Sequence, residues 1–304
     1  MLEIAVMIEG QNGLTWPLWQ KIARLAEDAG FAGLFRSDHF TNSNLSRKAS
    51  LELWTSLTWL ASHTSRIEFG PLVTPFSFRH PVHTARMASA IDDLSGGRLV
   101  LGLGAGWNES EHEQFGFDLL DTDARFSRFW EGMEVVTRLL QSDTPVTFDG
   151  HYYRLHEAIL LPRPQRPGGL RILIGGNGTK RTLPLVVRYA SEWNCVALTA
   201  DQFIRSNQLL DEMLVQAGRK PEMVRRSMMT GCVFGRNDSA LQRKQAIYGG
   251  TIDELQKQGN VAGSLGEIKK QLHNLEQAGL QRIMLQWQDL EDLESLQALA
   301  DGIL

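Results

Sequence analysis

Cysteine is scarce: Cys195 and Cys232 are the only two in 304 residues, and they lie in separate apolar segments. A disulfide framework is not expected, and a reducing cytoplasm is the default setting. Net charge is small as well, at -4 with 22% charged residues, so there is no basic footprint for nucleic acid. No apolar run reaches the ~18 residues of a membrane span. The opening "MLEIAVMIEG" carries Glu3 and lacks a basic stretch, so it reads as a buried strand rather than a signal peptide. Metal-site spacing is missing too, with no His/Asp/Glu cluster placed like zinc ligands. There is no G-x-S-x-G elbow, and neither cysteine neighbours a histidine. Secreted scaffolds, nucleic-acid binders, membrane proteins, zinc enzymes and serine hydrolases all lose their usual support.

What the sequence has is alternation. "EIAVMI" (3–8) reads as a strand, and Leu18, Ile22, Leu25 and Ala29 repeat at helical spacing before Gly30. "FAGLFRSD" (31–38), "RIEFGPLVT" (66–74) and "RLVLGLGAG" (98–106) are the next strands, separated by amphipathic helices at 50–64 and 81–97. The rhythm breaks over 107–170, which holds an acidic loop, a long helix at 125–141, the hairpin "PVTFDGHYYRL" and the proline-rich "LPRPQRPGG". Strands resume at 170–176, 192–198, 225–235 and 280–287, each followed by a helix except for a loosely patterned segment up to Val261. Eight strand–helix units predict an α/β fold, a (β/α)8 TIM barrel with insertions after strands 4 and 7, in one domain over 1–304. A chain of this length can bury such a core unaided.

Three glycines, Gly102, Gly104 and Gly106, suggest a dinucleotide turn at first sight. That reading fails twice. The G-x-G-x-x-G turn of a doubly wound sheet follows the first strand, whereas these follow the fourth, and their spacing is G-x-G-x-G.

In a barrel the site forms at the C-terminal strand ends. Here those ends carry Glu9; Asp38 and His39; Pro71, Leu72 and Thr74; Gly104, Gly106 and Trp107; Gly175, Gly176, Asn177 and Gly178; Asn194; and Trp287. Bare backbone, planar side chains and one Asp-His pair suit a large flat organic cofactor. Each element has a plainer reading: Asp38-His39 as a cap, the glycines as packing positions, Trp107 as a loop anchor, "GGNGTKRT" as an ordinary turn. The last also leads into a helix N-terminus, where free N–H groups attract phosphate.

The stretches "FRSDHF", "FRHPVHTARMASAIDDLSGGRLVLGLGAGWNESEHEQFG" and "ILIGGNGTKRTLPLVVRYASEWN" resemble the bacterial luciferase-like monooxygenases. Within them the chain resembles the coenzyme F420-dependent oxidoreductase branch, over essentially its whole length. The resemblance implies a TIM barrel that binds F420 at the C-terminal rim, with FMN as the alternative cofactor. It implies hydride transfer between F420 and a small organic substrate. The alternative is a monooxygenase using FMN, oxygen and a partner reductase; a flavin-binding relative without turnover is a third reading. Catalytic roles fall on His39 and Asp38. Cofactor contacts fall on Asp38, Pro71, Leu72, Thr74, Gly104, Gly106, Trp107, Gly175, Gly176, Asn177 and Gly178. The glycines at the fourth strand end would let backbone approach the ring edge. Pro71–Leu72 is the candidate for a cis peptide behind the ring, and "GGNG" matches the phosphate turn. Arg79, Lys180 and Arg181 are candidates for the anionic F420 tail. Trp107 stands where sugar-phosphate-oxidising relatives carry an acidic glutamate. The loops 107–125 and 235–262 would wall the substrate, and a homodimer is implied.

Overall fold

The computed structural model describes residues 1–42, 48–164, 166 and 168–304, so Gln165 and Pro167 of the proline-rich stretch lie outside the described residues. In the first half β1 (Glu3–Ile8), α1 (Trp16–Asp28), β2 (Gly33–Arg36), α2 (Leu53–His63), β3 (Glu68–Pro71) and β4 (Thr74–Pro75) lead to α3 (Pro81–Leu94) and β5 (Val100–Gly104). Between β5 and the next barrel strand come α4 (Glu109–Phe115), α5 (Thr122–Gln141) and the hairpin β6 (Val146–Asp149) and β7 (Arg154–Ala158). The second half runs β8 (Arg171–Gly175), α6 (Thr182–Tyr189), β9 (Glu192–Val196), α7 (Ala200–Gln216) and β10 (Arg225–Val233). It closes with α8 (Asp238–Tyr248), α9 (Ile252–Lys257), β11 (Val261–Ala262), α10 (Leu265–Gln277), β12 (Arg282–Trp287) and α11 (Leu293–Ile303).

The strands form a parallel sheet in the order β3-β2-β1-β12-β10-β9-β8-β5-β4, with β11 beside β10. A single bridge, Phe69 to Leu99, joins the two ends and nearly closes the barrel. Side chains alternate across each strand, and the parallel register stacks them into layers. The lowest layer is ionic: Arg282 pairs with Glu3, Glu68 and Glu192, while Arg171 and Arg225 also reach Glu68. Above it Ala5, Phe35, Val100, Leu173 and Met284 fill the bore. The uppermost positions, Met7, Glu9, Gly104, Gly175, Asn194, Met229 and Gln286, line an open cavity. Outward-facing residues such as Ile4, Val6 and Ile8 pack under the helices in the large outer core.

Local sequence sets the helix starts. Thr199–Gln202, Thr251–Glu254 and Ser264–Glu267 each form a reciprocal capping box at α7, α9 and α10. Two segments read as irregular are helical. In the acidic loop, Asn108 caps α4 by accepting from the Glu111 N–H, and Glu109 and Glu111 complement the helix dipole. In the loosely patterned segment α8 buries only Ala240 and Lys244, so it shows no apolar stripe to read. The third expected strand is split into β3 and β4 by a cis peptide at Leu72–Val73. This corrects Pro71–Leu72 by one position. Pro71 is still in register with Arg36, and the Leu72 N–H still donates to the Arg36 carbonyl, so the chain leaves the ladder only after Leu72.

Candidate active site

Asp38, Thr74, Gly104, Gly176 and Trp287 all stand at the C-terminal rim. Asp38, His39, Leu72, Gly104, Gly106, Trp107, Gly175 and Gly176 line one cavity of about 570 Å³. The other nominated residues do not line it. Thr74 sits behind Asp38, Pro71 stays within β3, and the Asn177 side chain is spent bridging the Val196 N–H and carbonyl. The Gly178 carbonyl accepts from Thr182 and Leu183. Trp287 turns outward and is buried, with the Lys244 ammonium 3.6 Å from its ring centre.

His39 follows the end of β2 and projects into the cavity. Its Nδ1 lies 2.8 Å from Oε2 of Glu111, a fully buried carboxylate on α4. Glu111 Oε1 also accepts from the Phe40 and Thr41 N–H groups, so one carboxylate fixes both the ring and the loop bearing it. Burial depresses the His39 pKa, but the Glu111 hydrogen bond and the charges of Glu111, Glu9 and Asp38 outweigh it, and the net shift is upward. Glu111 is shifted the opposite way: burial raises it, while His39 and the two backbone donors carry it below the usual carboxylate value. Nε2 of His39 meets no partner among the described residues. The Trp107 ring stands edge-on to the imidazole, with centroids 5.6 Å apart.

Asp38 is differently placed. It accepts from the Thr74 hydroxyl at 2.6 Å and forms a two-point ion pair with Arg79, which also holds Glu52 at 2.9 Å. Both Asp38 oxygens are thereby engaged. Glu9, which lines the same cavity, accepts amide hydrogens from Gln11 and Gln286, each at 2.6 Å.

The fourth-strand glycines face the β3 bulge. A Cβ on Gly102 would stand 2.1 Å from the Pro71 carbonyl oxygen, and one on Gly104 would stand 2.5 Å from Val73 Cγ2. They leave room for the bulge, and Leu72 and Val73 present the surface that borders the cavity. Gly106 has a φ of 85° and sits against Ser77, so a side chain there meets both strain and a clash.

At the far end of the cavity stand Gly175, Gly176, Thr182, Phe126 and Arg125. Gly176 has a φ of 126°, and the Thr179, Lys180 and Arg181 N–H groups meet no carbonyl among the described residues before α6 begins. The Arg125 Nε is buried without a hydrogen-bond partner among the described residues. An orphaned guanidinium donor beside open backbone donors fits a phosphate group. Of the three cations nominated for an anionic tail, Arg79 is held by Asp38 and Glu52, and Arg181 by Asp123. Lys180 carries no ion pair among the described residues and borders a second hollow of about 480 Å³ with Phe126, Trp130 and Pro184.

Sequence reading missed four contributors: Glu111 as the partner of His39, Val73, Arg125, and Gln286 on Glu9. Asn108 followed by Glu111 is a readable helix start, but the pairing with His39 spans 72 positions. Arg125 sits in an ordinary helical run and carries no local signal.

A sequence model of the luciferase-like monooxygenase family matches residues 9–301. The chain is 30% identical over 201 residues to 4-hydroxyprotoasukamycin monooxygenase of Streptomyces nodosus subsp. asukaensis, covering 66% of this chain and 52% of that protein. It is 30% identical over 230 residues to an F420-dependent glucose-6-phosphate dehydrogenase of Intrasporangium calvum, covering 71% of this chain and 65% of that protein. The matches thus span between half and two thirds of these curated relatives. An F420-dependent secondary alcohol dehydrogenase, solved with an F420–acetone adduct, shares the fold at a TM-score of 0.82 and 18% identity, over 100% of this chain and 99% of that one.

Proposed function

The chain belongs to the luciferase-like monooxygenase family, and from that premise we propose that it is an oxidoreductase moving a hydride between coenzyme F420 and a small organic substrate. The observation that carries this reading is the His39–Glu111 pair at the wall of a largely apolar cavity. Interconverting an alcohol and a carbonyl requires one proton to move at the substrate oxygen. A single imidazole, oriented by a buried carboxylate and free at Nε2, supplies that movement.

When bound, the deazaflavin supplies a ring carbon that accepts or donates hydride. His39 Nε2 takes the substrate hydroxyl proton in oxidation and returns it in reduction. Glu111 holds the ring through Nδ1 and stabilises its protonated form. Asp38, tied to Thr74 and Arg79, anchors the loop that carries His39 and is a positioning residue. Leu72, Val73 and Gly104 would border the ring; Gly176, Thr182, Arg125 and the open N–H groups of 179–181 would hold the phosphate. Lys180 and the hollow beside it support a tail longer than FMN has. The proposal carries over a homodimer from the family resemblance.

Parallel titration of the apoprotein with F420 and FMN, at low and high salt, tests this reading. Tighter F420 binding is expected, with the preference narrowing as salt screens Lys180 and its neighbours over ~8–10 Å. Tighter FMN binding at both salt levels, with oxygen uptake on reduction, would replace it with the FMN monooxygenase and its partner reductase.

A further inference from the structure

The side chains at the His39 end of the cavity constrain the charge of what binds there. Three carboxylates border that end: Glu9, Asp38 and Glu111. Asp38 is paired with Arg79 and Glu111 is hydrogen-bonded to His39, but Glu9 forms no ion pair among the described residues and accepts only neutral amide hydrogens. Among the described residues, positive charge at this end is limited to His39 when protonated, and Glu111 compensates it at Nδ1. Arg79 is clamped between Asp38 and Glu52, and Arg125 stands at the opposite end beside Gly176 and Thr182.

The polar neighbours are also committed. Ser37 donates to Gln11 and accepts from the Gly10 N–H. Asn108 caps α4, and the Gln286 amide serves Glu9 while its carbonyl accepts from Gln288. The remaining wall is Trp107, Phe78, Val73, Met7, Met229 and Val196, with two polar members: His112, bonded to Asn108 and Ser77, and Asn194, whose amide NH2 is spent on Ser227 and Met284. Trp107 is 65% exposed and packs edge-on to the imidazole, so it offers an apolar face beside the proton-transferring ring.

We infer that this end of the cavity takes an uncharged alcohol or carbonyl compound with an apolar body and rejects phosphorylated and carboxylated ones, with Glu9 and Trp107 as the specificity-determining residues. The inference rests on the oxidoreductase reading above and adds the substrate class. An anion entering here loses its hydration opposite Glu9 and meets only an imidazole whose charge Glu111 already compensates. A second carboxylate or a phosphate a few ångströms from Glu9 experiences repulsion that corresponds to a discrimination of ~10²-fold or more. A polyol fares poorly for another reason: most of the polar side chains its hydroxyls meet are already bonded, against apolar surface.

The test uses F420-loaded protein and two probes, cyclohexanone and glucose 6-phosphate, with binding followed by calorimetry and turnover of cyclohexanol and glucose 6-phosphate by the absorbance of F420. Cyclohexanone should bind, and cyclohexanol should be oxidised with a kcat/KM at least ~10²-fold above that of the phosphate. Glu9→Gln should narrow the preference by ~10-fold, and Trp107→Ala should raise the cyclohexanol KM by ~10-fold with kcat little changed. Equal or tighter binding of glucose 6-phosphate, or no measurable binding of cyclohexanone, overturns the inference. F420 affinity is measured separately by fluorescence. Loss of F420 binding sinks the cofactor reading, and cyclohexanone against glucose 6-phosphate on FMN-loaded protein then decides the charge preference alone.

Discussion

His39 depends on a carboxylate delivered by a different helix, and this dependence can be measured. His39→Ala removes the group that moves the proton but none of the residues placed around the ring or phosphate. Turnover should fall by ~10²-fold or more while F420 affinity changes little. Equal turnover in both proteins would take His39 out of the mechanism. Glu111→Gln keeps an acceptor for Nδ1 but removes the charge that raises the His39 pKa. Because the oxidative direction needs neutral His39, the acid limb of the rate profile should move to lower pH in this variant. A limb that stays in place would mean that another group titrates. The same pair has a signature in stability. Folded His39 holds its proton more tightly than the unfolded chain, so its contribution is complete below its ordinary 6.5 and fades as pH rises through the folded value. Glu111 is held low, so its contribution is present above its ordinary 4.5 and fades as pH falls through the folded value. Urea unfolding of wild type and Glu111→Gln should therefore differ more at about pH 5.5 than at about pH 8.5.

At the scale of elements, the seam between β3 and β5 is where the barrel is most sensitive to a single methyl group. A Cβ at Gly70 would stand 1.9 Å from the Val100 carbonyl oxygen, and one at Gly102 would stand 2.1 Å from that of Pro71. Two backbones therefore cross here with no room for side chains, and the Phe69–Leu99 bridge brings the barrel near closure. Gly102→Ala meets main chain, which cannot rotate away, and should cost ~3 kcal/mol or more. Gly104→Ala meets the flexible end of Val73 and should cost ~1–2 kcal/mol. Chemical denaturation of the two variants measures the order. If Gly102→Ala is as stable as wild type, the seam is looser than described. Gly104→Ala should also weaken cofactor binding, since the displaced Val73 borders the cavity.

At the scale of the whole molecule, the barrel is closed at one end by charge and open at the other for chemistry. Arg282 is almost fully buried and compensates Glu3, Glu68 and Glu192 together. Burial raises Glu68, but Arg282, Arg171 and Arg225 bring it below the ordinary carboxylate value. Its contribution to stability is therefore present above 4.5 and lost as pH falls through its folded value. Arg282→Met strands these carboxylates and should destabilise the fold by ~3–5 kcal/mol. F420 affinity of the folded fraction should be unchanged, because the ionic layer lies at the opposite end of the bore. A matching loss of affinity would show that the two ends are coupled.

Fold class and rim were legible because they rest on local rules. Alternating apolar runs, capped helices and the order of strands are properties of contiguous residues, and they were enough to place Asp38, His39, Trp107 and the two glycine turns at one end. The reading of Gly104 and Gly106 located the right strand end but did not foresee the β3 bulge, against which Gly104 packs through Val73. Helix α8 stayed hidden because it buries almost no apolar side chain. Pairing was the part that sequence could not supply. Glu111 reaches His39, Arg79 reaches Asp38 and Gln286 reaches Glu9 across 72, 41 and 277 positions. Sequence determined which groups are at the rim, through short-range periodicity and turn chemistry. Only the closed barrel decided which charges neutralise each other and which, like Glu9, face the cavity without a counterion, because that depends on distances set by the circumference of the sheet.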